Sequence, residues 1–131
     1  MSNSSFAFIE HVGLVIEEQR TGFSRCSLQV GPHHFNSSGV VHGAVLFTLA
    51  DTGMGAALFP GLKEGEKCAT IEVKINYFKP VFAGPIVCTT ELVNRGKSVA
   101  HLESSVSVDG VLVAKASGTY AIFRPSVLTA T

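Results

Sequence analysis

One carboxylate lies in a stretch of sequence that otherwise carries no charge. Asp51 is the only ionisable side chain between Gly43 and Pro60, a segment that reads GAVLFTLADTGMGAALFP. Because burying an unpaired charge among apolar residues costs much free energy, such a carboxylate is either well partnered or retained for chemistry. A carboxylate in that position can activate water as a general base or attack an electrophile as a nucleophile. Asp51 is therefore the first candidate catalytic residue.

A second group of polar residues directly precedes this segment. Residues 36–44 read NSSGVVHGA and bring amide, hydroxyl and imidazole groups to the beginning of the apolar stretch. We predict a helix over about residues 41–58, ended by Pro60-Gly61. The first backbone N–H groups of a helix have no partner within it, so they can hold a carbonyl oxygen or an anion. The two groups together predict an active site built around one helix.

The rest of the chain has the pattern of strands and turns. Strands are predicted over residues 12–19, 23–30, 71–77, 86–93, 99–108 and 111–123. Between Ile71 and Tyr77 apolar residues alternate with polar ones, and Asp109-Gly110 is a two-residue hairpin turn signal. We predict one α+β domain over residues 1–131, an antiparallel sheet with a long helix against it, and loose tails at residues 1–5 and 125–131.

The predicted helix is apolar on almost every side. Its polar side chains are Thr48, Asp51 and Thr52, whereas a helix on the surface of a sheet normally carries a full polar face. It must therefore be covered by a sheet that curves around it or by a second subunit. Gly43, Gly53 and Gly55 permit close approach of another backbone. From these residues we expect a homodimer.

Composition excludes several classes of function. Lys and Arg total 10, Asp and Glu total 10, and the sequence pI is about 7.0, so no basic surface for nucleic acid or an anionic membrane is expected. The histidines His33, His34 and His42 have no acidic or cysteine partners at metal-ligand spacing, and we expect neither a metal nor a cofactor. The first residues lack the pattern of a signal peptide, which favours a cytoplasmic protein.

Several of these residues recur together in a known family. The spacing Asn36-x-x-Gly39-x-x-His42-Gly43, followed by Leu49-Ala50-Asp51, resembles the signature of hotdog-fold thioesterases of the phenylacetate-pathway (PaaI-like) type. The similarity spans residues 10–124 and also includes Thr70-Ile71-Glu72, Asn76-Tyr77-x-x-Pro80, Gly84 and Gly96-Lys97. One departure is visible, because Ala44 replaces the second glycine of the family's His-Gly-Gly triplet.

This resemblance implies a fold and a reaction. The fold is an antiparallel sheet wrapped around one long central helix, and the reaction is hydrolysis of an acyl-CoA thioester to free acid and coenzyme A. A non-catalytic hotdog domain that binds acyl-CoA is the alternative. Joint retention of Asp51, Asn36 and Thr70 favours the enzyme, since a pure binder has no use for a buried carboxylate.

The resemblance also implies a role for each site residue. The backbone N–H of Gly43 would hold the thioester carbonyl and stabilise the oxyanion that develops on it. Asp51 would act as general base or as nucleophile, and both routes remain open. Asn36 would donate to the carbonyl or fix the water, and Thr70 would orient the water or the carboxylate. His42 is expected to steady the loop or the thioester through hydrogen bonds.

Basic side chains and one threonine complete the candidate set. Lys79, Arg95 and Lys97 are candidate contacts for the phosphates of coenzyme A. Strand alternation places Thr70 on the face opposite Ile71, where two interpretations are open: it reaches a subunit interface, or it is an ordinary strand threonine.

The spacing along the helix predicts how the site is assembled. Gly43 and Asp51 are eight residues apart, which separates them by roughly 12 Å along a helix axis. Groups that act on one bond must lie within a few ångströms of it. The donor and the carboxylate must therefore come from different copies of the chain, on two antiparallel helices. The resemblance implies the same arrangement, with two shared sites per homodimer and a homotetramer built from such dimers.

Overall fold

The structure is a computed structural model that describes residues 7–126. Residues 1–5 and 127–131, which belong to the predicted loose tails, lie outside this range. The elements in chain order are α1 (Ala7–Val12), β1 (Leu14–Arg20), β2 (Phe23–Leu28), α2 (Gly43–Leu58), β3 (Lys67–Tyr77), β4 (Ile86–Arg95), β5 (Val99–Val108) and β6 (Val111–Phe123). Single 3₁₀ turns lie at Pro32–His34 and Phe59–Gly61.

The strands form one antiparallel sheet in the order β1-β2-β4-β5-β6-β3. This confirms the predicted α+β class and the hairpin predicted at Asp109-Gly110, and β1 and β2 form a second hairpin. Asp109 and Gly110 join β5 to β6 with positive φ angles of 50° and 78°, as a two-residue hairpin turn of this kind requires. Strand β4 runs on to Arg95, two residues beyond its predicted end.

Helix α2 lies across the concave side of this sheet and contacts all six strands. It begins at Gly43 rather than near residue 41 because His42 caps it. Its buried residues are Leu46, Leu49, Ala50, Gly53, Met54, Ala56, Ala57 and Leu58. The opposite face, formed by Ala44, Thr48, Asp51, Thr52 and Gly55, is not covered by the sheet. We call these five residues the open face of α2.

The length and apolarity of this helical segment have a structural explanation. Gly43–Gly61 is one stretch, within residues 7–126, that is long and apolar enough to cross a membrane by length and composition alone. About 44% of it is buried inside the protein. A core helix of a globular domain has the same composition, and the packing of α2 on the sheet accounts for it.

Polar contacts from the sheet fix the position of α2. Side chains of five different strands donate hydrogen bonds to its backbone carbonyls: Gln19 to Ala56 (3.0 Å), Ser24 to Gly53 (2.6 Å), Tyr77 to Gly43 (2.8 Å), Ser104 to Ala50 (3.1 Å) and Tyr120 to Asp51 (2.8 Å). On the remaining strand, β4, the hydroxyl of Thr90 lies 2.7 Å from that of Ser104. Because buried hydroxyls must find partners, these bonds specify how far along the sheet the helix lies.

A β-bulge in β3 corrects one sequence-based prediction. Thr70 is opposite Tyr120 on β6, and Glu72 is opposite the adjacent Thr119, so Ile71 is the extra residue. Ile71 is consequently 59% exposed, which makes the predicted alternation wrong at that residue. The bulge turns Thr70 toward α2, where it contacts Asp51 of its own chain instead of pointing away from the core.

Candidate active site

The N-terminus of α2 opens into a cleft. Gly43 is the first residue of the helix, and its backbone N–H has no hydrogen-bond partner within residues 7–126. The cleft has a volume of about 330 Å³ and is lined by Asn36, Val40, Val41, Gly43, Leu46, Tyr77, Phe78, Lys79, Pro80 and Val81. We call Gly43, Asn36 and this cleft the donor half-site. An unpaired N–H at a helix N-terminus is suited to hold a carbonyl oxygen.

His42 caps the helix and leaves the N–H of Gly43 available. The Nδ1 atom of His42 accepts a hydrogen bond from the N–H of Ala44 at 3.0 Å, so the ring proton of the neutral imidazole resides on Nε2. The N–H of His42 donates to the carbonyl of His34 at 2.8 Å. His42 therefore has a defined structural role at the helix terminus, while its Nε2–H remains accessible on an exposed side chain.

The two polar groups of the Asn36 side chain, its amide oxygen and its amide NH₂, differ in their contacts. Its Oδ1 accepts hydrogen bonds from the N–H groups of Ser38 at 2.9 Å and Val40 at 3.3 Å, which close the loop before α2. The left-handed φ of 82° at Gly39 allows this tight turn. Because Oδ1 is occupied, the amide NH₂ is the part of Asn36 that can serve a ligand. That restricts its expected role to donating a hydrogen bond.

Tyr77 is part of the donor half-site, although its sequence position did not identify it as a site residue. Its hydroxyl donates to the carbonyl of Gly43 at 2.8 Å, and burial raises its pKa. A Cβ atom at position 43 would lie 3.1 Å from the tyrosine ring and hydroxyl, which explains the glycine. The signal that could have revealed it is a tyrosine that continues the apolar alternation of β3 and brings a hydroxyl to the end of the strand.

The carboxylate lies on the open face of α2, outside this cleft. Thr70 donates a hydrogen bond to Oδ1 of Asp51 at 2.8 Å. The single hydroxyl proton of Tyr120 is shared between the same Oδ1 and the backbone carbonyl oxygen of Asp51, which lies 2.8 Å from the hydroxyl. Within residues 7–126, every buried side-chain oxygen has a hydrogen-bond partner, and Oδ2 has none, so solvent reaches Oδ2. We call Asp51, Thr70 and Tyr120 the carboxylate half-site.

Tyr120 was not among the predicted site residues. Its side chain is 3% exposed, and burial, together with the neighbouring Asp51 carboxylate, raises its pKa far above the ordinary tyrosine value. The phenol therefore remains protonated and acts as a permanent hydrogen-bond donor. Its place on the core face of β6 was visible in the sequence, but the partner of its hydroxyl was not, because Asp51 lies 69 residues away.

The two half-sites are separate within one chain. The structure brings Asn36, His42 and Gly43 together, and it brings Thr70 to Asp51. It does not bring Asp51 to the cleft, whose lining residues do not include it. Asp51 lies eight positions after Gly43 in α2, a distance of roughly 12 Å along the axis.

The three residues predicted to contact the phosphates of coenzyme A are divided between the two half-sites. Lys79 lines the cleft, and no ion pair within residues 7–126 involves it. Arg95 pairs with Glu66 at 3.1 Å and donates to the carbonyl of Gly96 at 3.0 Å. Arg95 shares a row across the sheet with Tyr120 and Thr70. Arg95 and the exposed Lys97 thus lie at the carboxylate end.

Sequence comparisons place these features among known proteins. Residues 38–115 match the model of a family described as the thioesterase superfamily. A provisionally named esterase of Archaeoglobus fulgidus is 31% identical over 106 residues, covering 79% of this chain and 67% of that protein. A second provisionally named esterase, from Saccharolobus solfataricus, is 28% identical over 114 residues, covering 86% of this chain and 75% of that protein.

Solved structures of other proteins have the same fold. A conserved protein of Pseudomonas aeruginosa superposes with a TM-score of 0.81 and 32% identity, covering 94% of this chain and 95% of that one. A variant of the phenylacetic acid degradation protein PaaI of Thermus thermophilus superposes with a TM-score of 0.82 and 26% identity, covering 88% and 97%. A thioesterase of Haemophilus influenzae shares the fold, with a TM-score of 0.84, 22% identity and coverage of 94% and 85%.

Proposed function

Since the chain belongs to the thioesterase superfamily, as a hotdog thioester hydrolase of the PaaI type, we propose that it hydrolyses acyl-CoA thioesters to free acid and coenzyme A. The observation that carries the proposal is the arrangement along α2. An unpaired N–H donor lies at the N-terminus of the helix, and a carboxylate with one accessible oxygen lies eight residues later. These are the two groups that acyl transfer to water requires.

The donor half-site would bind the thioester carbonyl. The N–H of Gly43 and the amide NH₂ of Asn36 both face the cleft, and the positive end of the helix dipole adds to their effect. As the carbonyl carbon becomes tetrahedral, negative charge develops on its oxygen and these donors hold it more strongly. Removal of one such donor typically raises the barrier by about 3–4 kcal/mol.

The carboxylate half-site would supply the attack on the carbonyl carbon. As general base, Asp51 takes a proton from water while the water oxygen forms a bond to that carbon, and the C–S bond then breaks to release the coenzyme A thiolate. As nucleophile, Asp51 itself displaces the thiolate and forms an anhydride, which water hydrolyses in a second step. In both routes Oδ2 is the reacting oxygen, because Oδ1 already accepts two hydrogen bonds.

Both half-sites act on one thioester only if two copies of the chain meet. The open face of α2 carries no charged side chain other than Asp51, and Ala44 and Gly55 on it are small enough for a second helix to approach closely. Two antiparallel copies of α2 would place Asp51 of each copy near Gly43 of the other. We propose a homodimer with two such shared sites, and pairing of these dimers into a homotetramer.

The same pairing would gather the basic side chains. Lys79 borders the cleft at the donor end, whereas Arg95 and Lys97 lie at the carboxylate end of the sheet. In an antiparallel dimer, Lys79 of one copy and the two basic residues of the other would flank one site. Lys79 is the foremost candidate for a phosphate contact, because Arg95 already pairs with Glu66.

The first test is thiol release from acyl-CoAs by the purified protein and by Asp51→Asn. The substitution keeps the shape of the side chain and removes its capacity to accept a proton or attack, so kcat should fall about 10²–10⁴-fold. Glu103→Gln is the matched control, because Glu103 is an exposed carboxylate on the opposite side of the sheet, and its turnover should equal that of the wild type. Full activity of Asp51→Asn would refute the proposed role.

The second test asks whether the sites are shared between copies. Asp51→Asn and Gly43→Pro, which removes the donor N–H, should each be inactive alone. After unfolding and refolding as an equal mixture, half of the dimers contain one copy of each and have one intact site, so activity should return to about a quarter of the wild-type value. Mixed dimers that form, as shown by native mass spectrometry, but remain inactive would exclude the shared site.

A further inference from the structure

The two oxygens of the Asp51 carboxylate have different surroundings. Oδ1 accepts hydrogen bonds from the hydroxyls of Thr70 and Tyr120, whereas Oδ2 accepts none from residues 7–126 and is open to solvent. A carboxylate oxygen has room for about two strong hydrogen bonds. Oδ1 is therefore saturated, and the group has one oxygen left for chemistry.

Tyr120 holds the main chain and the side chain of Asp51 at once. Its hydroxyl lies 2.8 Å from the backbone carbonyl of Asp51 and also donates to Oδ1. The phenol is buried and stands beside Thr70 in the register of β3 and β6. A rigid aromatic side chain that contacts both ends of one residue limits its rotamers more than a single flexible donor does.

From this arrangement we propose that Tyr120 is a positioning residue that, together with Thr70, fixes Oδ1 of Asp51 and presents Oδ2 as the single reacting oxygen. The proposal rests on the role of Asp51 proposed above. Tyr120 does not line the cleft, so it can influence the reaction only through its hydrogen bond to the Asp51 carboxylate. It should therefore affect turnover and its pH dependence rather than substrate binding.

Hydrogen bonds to a carboxylate stabilise its charged form against protonation. Around Asp51 the nearby titratable groups are Tyr120 on β6 and Cys68 on β3, and burial raises the pKa of each, so both remain neutral. Within residues 7–126, no ion pair involves Asp51. The two hydroxyls that donate to Oδ1 are therefore the principal polar side-chain contacts of this carboxylate.

The experiment compares the pH profile of kcat/KM for the wild type and Tyr120→Phe. The ring is kept and the hydroxyl that donates to Asp51 is lost, so the acid limb of the profile should move to higher pH. In the plateau region, kcat should fall about tenfold while KM stays within about twofold of the wild-type value. An unmoved acid limb would overturn the proposal.

Tyr77→Phe is the matched control. It also removes a tyrosine hydroxyl that is bonded to a carbonyl of α2, in this case that of Gly43 at 2.8 Å, but that hydroxyl does not reach a carboxylate. Its acid limb should coincide with that of the wild type. An equal shift in both variants would show a general effect of loosening α2 and would overturn the specific role of Tyr120.

If Tyr120→Phe does not fold, a second variant tests the positioning role of Tyr120. The chain has two tyrosines, so in the Tyr77→Phe background Tyr120 is the only one left. Incorporation of a difluorotyrosine there keeps the size of the side chain and makes the hydroxyl a stronger donor. The acid limb should then move to lower pH, and a shift in the other direction would contradict the proposal.

Asp51→Asn distinguishes a failure of the role proposed for Asp51 from a failure of the role proposed for Tyr120. If this variant keeps full activity, the function proposed for Asp51 fails and the role of Tyr120 fails with it. If Asp51→Asn is inactive and the acid limb of Tyr120→Phe is unmoved, only the positioning role of Tyr120 is refuted.

Discussion

The donor half-site and the carboxylate half-site are held in place by different kinds of contact. Asn36, Gly39 and His42 shape the donor half-site through turns and a helix cap formed within a few residues of Gly43. The carboxylate half-site depends on hydroxyls from two strands that reach Asp51 across 19 and 69 residues of sequence. One half is built by local chain geometry and the other by the packing of a helix on a sheet.

This difference implies that the two halves respond differently to substitution. The donor half-site depends on a backbone N–H, and proline is the only substitution that removes this group. The carboxylate half-site depends on the fit between the middle of α2 and the sheet, so even a methyl group beneath the helix should disturb it. The substitutions below distinguish these two kinds of dependence.

After Asp51→Asn, the largest effect is expected from Gly43→Pro, which deletes the donor itself. Proline is well tolerated at the first position of a helix, and the ψ angle of 135° at His42 suits a residue before proline. We expect kcat for thioester hydrolysis to fall about 10²–10³-fold with the fold intact. The measurement is steady-state thiol release, with circular dichroism to verify the fold.

Gly43→Ala is the control for that result. It keeps the N–H and adds the Cβ that proline also has, 3.1 Å from the ring of Tyr77, which must shift by a few tenths of an ångström. Its loss of kcat should be about tenfold at most. Equal losses for proline and alanine would show that space near Tyr77, and not the donor, limits the reaction.

A smaller effect, on stability, is expected from Gly53→Ala. A Cβ at this position would lie 2.6 Å from the Oγ1 of Thr90, so the helix must move away from the sheet. We expect the free energy of unfolding in urea to fall by about 1–3 kcal/mol. In a Thr90→Ala background the obstructing oxygen is absent and the same substitution should cost less. An identical cost in both backgrounds would contradict this account of the packing.

The smallest effect is expected from Lys79→Ala at the edge of the donor cleft. Loss of one exposed phosphate contact should raise KM for an acyl-CoA about three- to tenfold and leave kcat unchanged. KM for an acyl-N-acetylcysteamine thioester, which lacks the phosphates, should not change. Lys115→Ala, on the outer face of the sheet, is the control. If KM rises in Arg95 or Lys97 variants but not in Lys79→Ala, the phosphates bind at the carboxylate end instead.

The sequence predicted the locally encoded features of this molecule. The helix was recognisable from its apolar run and from the Pro60-Gly61 that ends it, and all six strands were recognisable from their composition and turns, although β3 begins four residues before its predicted start. Asn36, His42 and Gly43 were recognisable because they follow one another in a short motif. The structure confirms the α+β class and the position of α2, whereas the catalytic roles remain predictions.

The features that the sequence did not reveal depend on tertiary contacts. The bulge at Ile71 has no glycine to indicate it, so β3 read as regular alternation and Thr70 was expected on the wrong face. Helix α1 has six residues and none of them is buried, too little for a periodic signal. Tyr120 was missed because a buried tyrosine shows that it needs a partner but not which partner it has.

The placement of the two tyrosines also gives the protein its own optical reporters. The chain contains two tyrosines and no tryptophan, so Tyr77 and Tyr120 dominate its intrinsic fluorescence. Tyr77 lines the cleft and Tyr120 is bonded to Asp51, so each fluorophore belongs to one half-site. A phenol bonded to a carboxylate is quenched, and protonation of that carboxylate relieves the quenching. Filling of the cleft, or a disturbance of the contact between Tyr120 and Asp51, should therefore change the emission of the unlabelled protein.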